Sequence, residues 1–499
     1  MNRFSVAALS ACFTVLIAAQ TQAQVTPEEV WQGWQKMGAT YGQALTADSV
    51  TRQGDTLVVS GMQVSMDQDG AKISGTLDEV RFRDLGDGTV EVTMSETYPL
   101  AMTMPGEDGA TEELAITISQ PGIRMIAGGS ATHTAYTIVA PNTSLAMQAG
   151  RNGEKLADIN ATFSNVNGTY NLAQNGGKST LDSDVTIEGV AFTATGKSDG
   201  QPFDMAGTMA ALKVSTAGDF LGAAAMENVA QALRDGFSTT LDFSYGAGDF
   251  RFNASDDQGR PVKVAATNQT GTLLFRLAGD SLTYNAGGTG VVMTVSGGEI
   301  PFPELKISYA EAGFDLTMPV LRTLAPTPFA FGTRIVDLTV SDEIWGMFDP
   351  TVALPRDPAT LIIASKGTAT LKQDIVDAEA MEAAGTAPAG EINSLDLTSL
   401  VLRVAGAAVT GAGSVTFDNT DLVTFDGLPA PTGTVDVTMT GANGLIDKLV
   451  SMGLIPDQEV MGLRMMLAMF AKPGEGPDVL TSQVEFKDKG LFVNGTRLK

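Results

Sequence analysis

The chain has 499 residues, of which 43% are hydrophobic and 18% charged, and its formal net charge is −26. That balance supports a large packed core and excludes a disordered chain, and the acidity argues against nucleic acid as a partner. One histidine and one cysteine exclude multi-histidine metal centres, iron–sulfur clusters and a disulfide framework.

Residues 1–23 read as a signal peptide. Arg3 supplies the n-region charge, an apolar run follows from Val6 to Ala19, and Thr21-Gln22-Ala23 offers small residues for a cut before Gln24. The run falls short of the roughly 18 apolar residues that a membrane span needs. Leu9-Ser10-Ala11-Cys12 also matches a lipobox. The apolar stretch before Cys12 is short, however, and more apolar residues follow it, so ordinary cleavage is preferred over lipid attachment at Cys12. The expected location is the periplasm, with no transmembrane segment after signal removal.

Thr26-Pro27-Glu28-Glu29 predicts a helix over 27–45, with Thr26 as cap, Pro27 in the first turn and Glu29 closing a capping box. From there the dominant signal is alternation with period two. Met62, Val64 and Met66 alternate with polar residues, as do Val90, Val92 and Met94, then Leu114, Ile116 and Ile118, and far downstream Val435, Val437 and Met439. Strands of this kind bury one face, as antiparallel sheets allow. Asp69-Gly70, Asp87-Gly88, Asn152-Gly153, Asn167-Gly168 and Asn494-Gly495 are expected hairpin turns. A second helix is expected over 218–235, where Leu221, Ala225, Val229 and Leu233 stand four apart.

Ala325-Pro326-Thr327-Pro328 marks a boundary. It divides the chain after the signal into a helix and long antiparallel region, 24–324, and a β region with capping helices, 325–499, continuous with the preceding sheet. A short helix is expected over Ser341–Phe348 and an exposed loop over 377–391. Leu395 and Leu397 are in one phase and Leu400, Leu402 and Val404 in the other, which predicts a bulge or turn between them. Two last helices are expected at 443–452 and 456–471, stopped by Gly453 and by Pro473-Gly474. The expected fold is mainly β: one long twisted antiparallel sheet or β-roll with a few capping helices.

Motifs for chemistry are few. His133 lies in a strand-like run and no G-x-S-x-G elbow accompanies it. Asp67-Gln68-Asp69-Gly70 would place Thr76 where a calcium loop needs a bidentate glutamate. Asp256-Asp257-Gln258-Gly259 is read as turn chemistry. Gly287-Gly288-Thr289-Gly290 and Gly411-Ala412-Gly413 do not open a helix and are expected turns rather than phosphate loops. No catalytic residue, metal site or cofactor is assigned.

The segment 460–470, VMGLRMMLAMF, is apolar nearly all round. The plain expectation is a buried helix plugging the end of the sheet. The sharper one makes Met461, Met465, Met466 and Met469 a pliable surface for acyl chains or a partner, with Arg464 meeting a headgroup or carboxylate.

Trp345-Gly346-Met347-Phe348-Asp349-Pro350 and then Leu354-Pro355-Arg356-Asp357-Pro358-Ala359-Thr360-Leu361 resemble the central signature of a bacterial family, domain of unknown function family 2125. Gly411-x-Gly413, Gly433 before Thr434–Thr440, and Pro473-Gly474-Glu475-Gly476 resemble its C-terminal pattern. The resemblance implies an exported envelope protein and brings no activity or catalytic residue. A more distant similarity is to the C-terminal parts of AsmA-like envelope proteins, whose long folded sheets are linked to lipid movement; this chain departs from them in lacking a membrane anchor. Within the signature, Trp345 and Phe348 are expected to anchor a core corner. Pro350, Pro355 and Pro358 are expected to stiffen the backbone, and Arg356 or Asp357 to pair with a neighbour or cap a strand end; Asp349 belongs to the same signature. The role expected for these residues is structural.

The functional expectation is a non-enzymatic periplasmic protein that binds an apolar ligand such as a lipid, or an envelope protein, along a sheet surface. The alternative is an envelope hydrolase acting through Asp and Glu carboxylates. The oligomeric state is left open.

Overall fold

The computed structural model describes residues 24–499 except 41, 69, 107–108, 131, 176–177, 199, 222–227, 378–380, 384 and 386. The signal segment with Cys12, the turn residue Asp69 and Ala225 of the second expected helix therefore lie outside the described residues. Alternation becomes strand almost everywhere, and among the described residues the strands join into one antiparallel sheet of 26 strands. Rows adjacent in space are adjacent in sequence, so the sheet grows by hairpin addition. In places two short strands share one row: Val90–Met94 and Thr97–Pro105 both pair with Ala71–Asp84. Ser238–Tyr245 and Gly248–Ser255 likewise both pair with Gln201–Phe220.

Asn152-Gly153 and Asn494-Gly495 both take positive φ, 52° and 79°, then 51° and 85°, which is the hairpin geometry that Asn-Gly favours. Asn167-Gly168 does not turn. It lies inside the strand Glu154–Asn175, with Gly168 paired to Ile138 and Val185. Gly287, Gly288 and Gly290 lie inside the strand Leu282–Gly297, and Gly411 and Gly413 inside Ala407–Asp418. Ladder bonds on both sides override the local turn preference in each case.

The strands His133–Arg151, Glu154–Asn175, Lys178–Ser198 and Gln201–Phe220 have 19, 22, 21 and 20 residues, far beyond the usual ~5–6. Each is interrupted near its middle, and the interruptions line up across neighbouring rows. Gly61, Asn165, Ala211, Gly290 and Asp337 take left-handed φ of 61°, 49°, 53°, 61° and 54°. At Gly61 a side chain would meet the Asp48 carboxylate at 2.2 Å. The ladder also skips at Leu397/Leu400, where the phase change of the leucines predicts a bulge. Such bulges bend a strand and add twist, so their alignment forms a crease across the sheet.

The crease keeps one face apolar. Each strand carries one extra residue there, so apolar residues spaced by two resume after a gap of three. Val59 and Met62 fall in the same core cluster, as do Leu77 and Val80. The same gap separates Phe163 from Val166, Ile187 from Val190, Met209 from Leu212, Tyr309 from Ala312 and Ile335 from Leu338.

Helix α1 (Pro27–Thr40) lies on this face at the start of the sheet. Its capping box forms, with Glu29 N donating to Thr26 Oγ1 at 3.2 Å and Thr26 N donating to Glu29 Oε2 at 2.8 Å. The helix stops at Thr40 rather than 45, because Ala44–Gln53 pairs with Thr56–Gln68. Trp31 and Trp34 pack on Phe82 with ring centroids 6.1 and 5.2 Å apart, over the buried Val59, Val80, Val90 and Val92. The second expected helix forms only in part among the described residues: its first three positions, 218–220, end the strand Gln201–Phe220, where Asp219 pairs with Thr180 and Ser238. Among the described residues of that stretch, α2 (Val229–Arg234) is helical. It is capped by Asn228 and buries Ala232 and Leu233 with Phe237 and Val320 in a second core.

The proline-rich stretch is no break in the sheet. Thr327–Val340 pairs with Leu305–Met318 on one side and Ala359–Leu371 on the other. Helix α3 (Asp342–Phe348) follows it. Helices α4 (Ala442–Ser451) and α5 (Asp457–Phe470) form a pair near the C-terminus, as expected. Among the described residues no helix is long and apolar enough to cross a membrane.

Candidate apolar ligand site

The apolar face continues far beyond the part that α1 covers. Register carries it from row to row: Val190 opposes Met209, Val214 opposes Phe243, Phe243 opposes Leu273 and Leu273 opposes Ala286. It continues through Ala286 with Phe314, Leu361 with Leu402, Val409 with Met439 and Val435 with Val484. Tyr284, Phe314 and Phe331 form an aromatic row across three strands, with centroids 6.0 and 5.6 Å apart. These three rings are each about one-third exposed, as are Phe250 and Ile335. A contiguous exposed apolar surface is unusual in a soluble chain and marks interaction.

The face is hollowed in three places. Beside α1 a cavity of about 370 Å³ is lined by Trp34, Met125, Tyr136, Ile138, Leu172 and Leu181. At the crease a broader hollow of about 580 Å³ is lined by Phe243, Leu273, Ala286, Val291, Phe314 and Ile335. Under α4 and α5 lies a third, of about 410 Å³.

The α5 side chains divide into two stripes. Leu463, Met466, Leu467 and Phe470 line the cavity below. Met461, Met465 and Met469, spaced four apart, are 74%, 61% and 59% exposed. The buried-helix expectation fails here, since α5 has no buried residue. The helix stands over the sheet with a gap beneath it, and among the described residues nothing covers its outer stripe. Arg464 is also placed differently from expectation: its guanidinium pairs with Asp447 of α4 and ties the two helices together.

The signature around Trp345 folds into a tight corner. Asp349 is fully buried, and its carboxylate accepts the backbone N–H groups of Ala353 and Leu354, each at 2.9 Å. Burial pushes its pKa up, but these bonds and Thr351 outweigh it and hold the carboxyl below the ordinary value. Arg356 pairs with Asp342 and lies 5.8 Å over the Trp345 ring. Trp345 and Phe348 touch, centroids 5.0 Å apart, but they do not anchor a core: α3 has no buried residue and Phe348 is exposed. The buried anchors of the corner are Asp349 and Leu354, because the turn closes on the carboxylate rather than on the rings. Pro355 touches the space at Gly406, and Pro350, Asp357 and Pro358 are exposed.

Several carboxylates elsewhere are committed to cations and backbone. Glu91 bridges Arg124 and Arg83, which hold its carboxyl low. Asp256 accepts Gln258 N and Arg260 N, the turn chemistry expected there. Among the described residues every carboxyl group with a resolved shift is lowered, whereas a general acid needs a raised one. Among them, too, no cluster of three metal-ligating side chains occurs.

Sequence reasoning located the Met stripe and expected a ligand along a sheet surface, but it missed the crease and the cavities. The signal was present as the gap of three repeated in strand after strand, of which only the Leu397/Leu400 case was read. A comparison with curated proteins gives no match. Over residues 192–498 the sequence matches the family described as an uncharacterized protein conserved in bacteria (DUF2125), and the chain belongs to that family.

Proposed function

We propose that the protein is a non-enzymatic, periplasmic protein of the cell envelope that binds an apolar ligand of the lipid class along one face of its sheet. The observation that carries this is the apolar face itself, which runs unbroken from α1 to the helix pair with its rings part-exposed and its surface hollowed. Burial of acyl CH₂ groups there is worth about 0.8 kcal/mol each. In this reading Met466 touches ligand, and Met461, Met465 and Met469 form a pliable rim that meets the ligand's source. Methionine suits both tasks because its side chain is unbranched and adaptable.

The test is native mass spectrometry of the full chain purified after export, followed by solvent extraction. Co-purified acyl lipid is expected, on a protein whose mass begins at Gln24. A chain that carries no lipid, and that takes up none from vesicles of its own bacterial phospholipid, would overturn the reading.

A further inference from the structure

We infer that the cavity between the helix pair and the sheet holds a single unbranched acyl chain, with its headgroup outside. This rests on the apolar-ligand reading above and narrows it to one site and one ligand shape.

The volume, about 410 Å³, lies within the ~300–1,000 Å³ of small-molecule sites. Protein interiors rarely leave gaps larger than a water molecule, so a space of this size beneath two helices is not ordinary packing. The walls include Leu402, Val409, Met439, Ile446, Leu463 and Leu467, and Thr440 is the only lining residue with a polar side chain. No charged side chain lines it, so the occupant's charged end is not inside. Phe470 is the only ring in the lining, whereas the Leu, Ile and Met side chains conform to a flexible chain better than to a flat fused ring.

The opening can be placed. Met466 and Phe470 line the cavity and are also 53% and 43% exposed, so the space reaches solvent along that edge of α5. The helix pair is built as a cover pinned at its ends. Asp478 accepts Asn443 N at 3.1 Å and Gly444 N at 2.9 Å where α4 begins. Ser482 Oγ and Asn494 Nδ2 donate to Phe470 O, at 2.6 and 3.1 Å, where α5 ends. Between those ends neither helix buries a residue.

The probe is 11-(dansylamino)undecanoic acid, titrated into the delipidated full chain. The parent is expected to bind it, and Leu467→Trp, which fills the cavity, to weaken binding by about tenfold, equivalent to about 1.4 kcal/mol. Leu324→Trp, at a loop position 96% exposed and lining none of the three hollows, is expected to bind as the parent does. A photoreactive diazirine palmitate, used on the unsubstituted chain, should label peptides containing Leu463–Phe470 and Val404–Val409; this arm stands even if Leu467→Trp misfolds. Unchanged binding by a folded Leu467→Trp, or labelling confined to other peptides, overturns the site while leaving the open face as a lipid surface. A parent that binds neither probe and carries no lipid overturns both readings.

Discussion

The same face of one sheet is sealed under α1 and open over much of its later strands. Under α1, Val59, Val80, Phe82 and Val90 are wholly buried, with Trp31 and Trp34 above them. Past the strand Gln201–Phe220 the equivalent positions, Tyr284, Phe314 and Phe331, keep about one-third of their surface. Strand chemistry is alike in both regions. What differs is the presence of a helix on top, so an apolar strand face becomes core only where another element covers it. The uncovered region keeps its shape through ladder pairing and turns, and its apolar surface remains free for other contacts.

The largest expected effect sets the two regions against each other. Phe82→Ala should cost about 3–5 kcal/mol, because it empties a closed core. Phe314→Ala should cost about 1 kcal/mol, because the ring is only part-buried and its neighbours border solvent. Urea unfolding of both variants measures this, and equal losses would break the comparison.

Acid should sharpen it. In the open region several turns close on carboxylates: Asp349 on Ala353 and Leu354, Asp421 on Lys489 and Thr424, and Asp478 on Asn443 and Gly444. For Asp421 the Lys489 ammonium is the main cause of the lowered pKa; for Asp349 and Asp478 burial raises it and the accepted hydrogen bonds outweigh that. Folded values below the ordinary one mean that this stability is fully present above the unfolded pKa of about 4 and is lost as pH falls through the lower folded values. Hydrogen exchange between pH 5 and pH 3 should therefore show the segments around 349–354, 421–424 and 441–444 opening before Leu57–Met62, which carries no carboxylate. Simultaneous opening would count against distinct means of cohesion.

The smallest effect concerns the crease that both regions share. Ala211 sits at φ 53°, a conformation costing a residue with a Cβ roughly 1–2 kcal/mol. Ala211→Gly should raise stability by about 0.5–1 kcal/mol after glycine's entropy is subtracted. Asn165→Val, at φ 49°, should lower it by about 1–2 kcal/mol. A loss on Ala211→Gly would show that the bulge does not need the left-handed residue.

Much of the fold was legible in the residues. The capping box at Thr26 and Glu29, the Asn-Gly hairpins at 152–153 and 494–495, the strand periodicity and the terminal helix pair all formed as expected, because each depends on neighbours in sequence. Readings that weighed local preference against the ladder failed at Asn167-Gly168 and at Gly287–Gly290. There, pairing with two flanking strands supplied more hydrogen bonds than a turn would have. The site was legible only in part. Met461, Met465, Met466 and Met469 stood out by composition, but α5 is apolar on two sides for two reasons: one stripe faces a cavity and the other faces solvent.

By itself the sequence determined strand after strand with one apolar face, since side chains alternate with period two whatever lies beyond them. It also held the crease, because one extra residue per strand shifts that phase for purely covalent reasons. Only the tertiary structure decided which stretches of that face became core. Covering a face depends on where a distant helix comes to rest, and α1, α2 and the helix pair occupy three places and leave the ground between them bare.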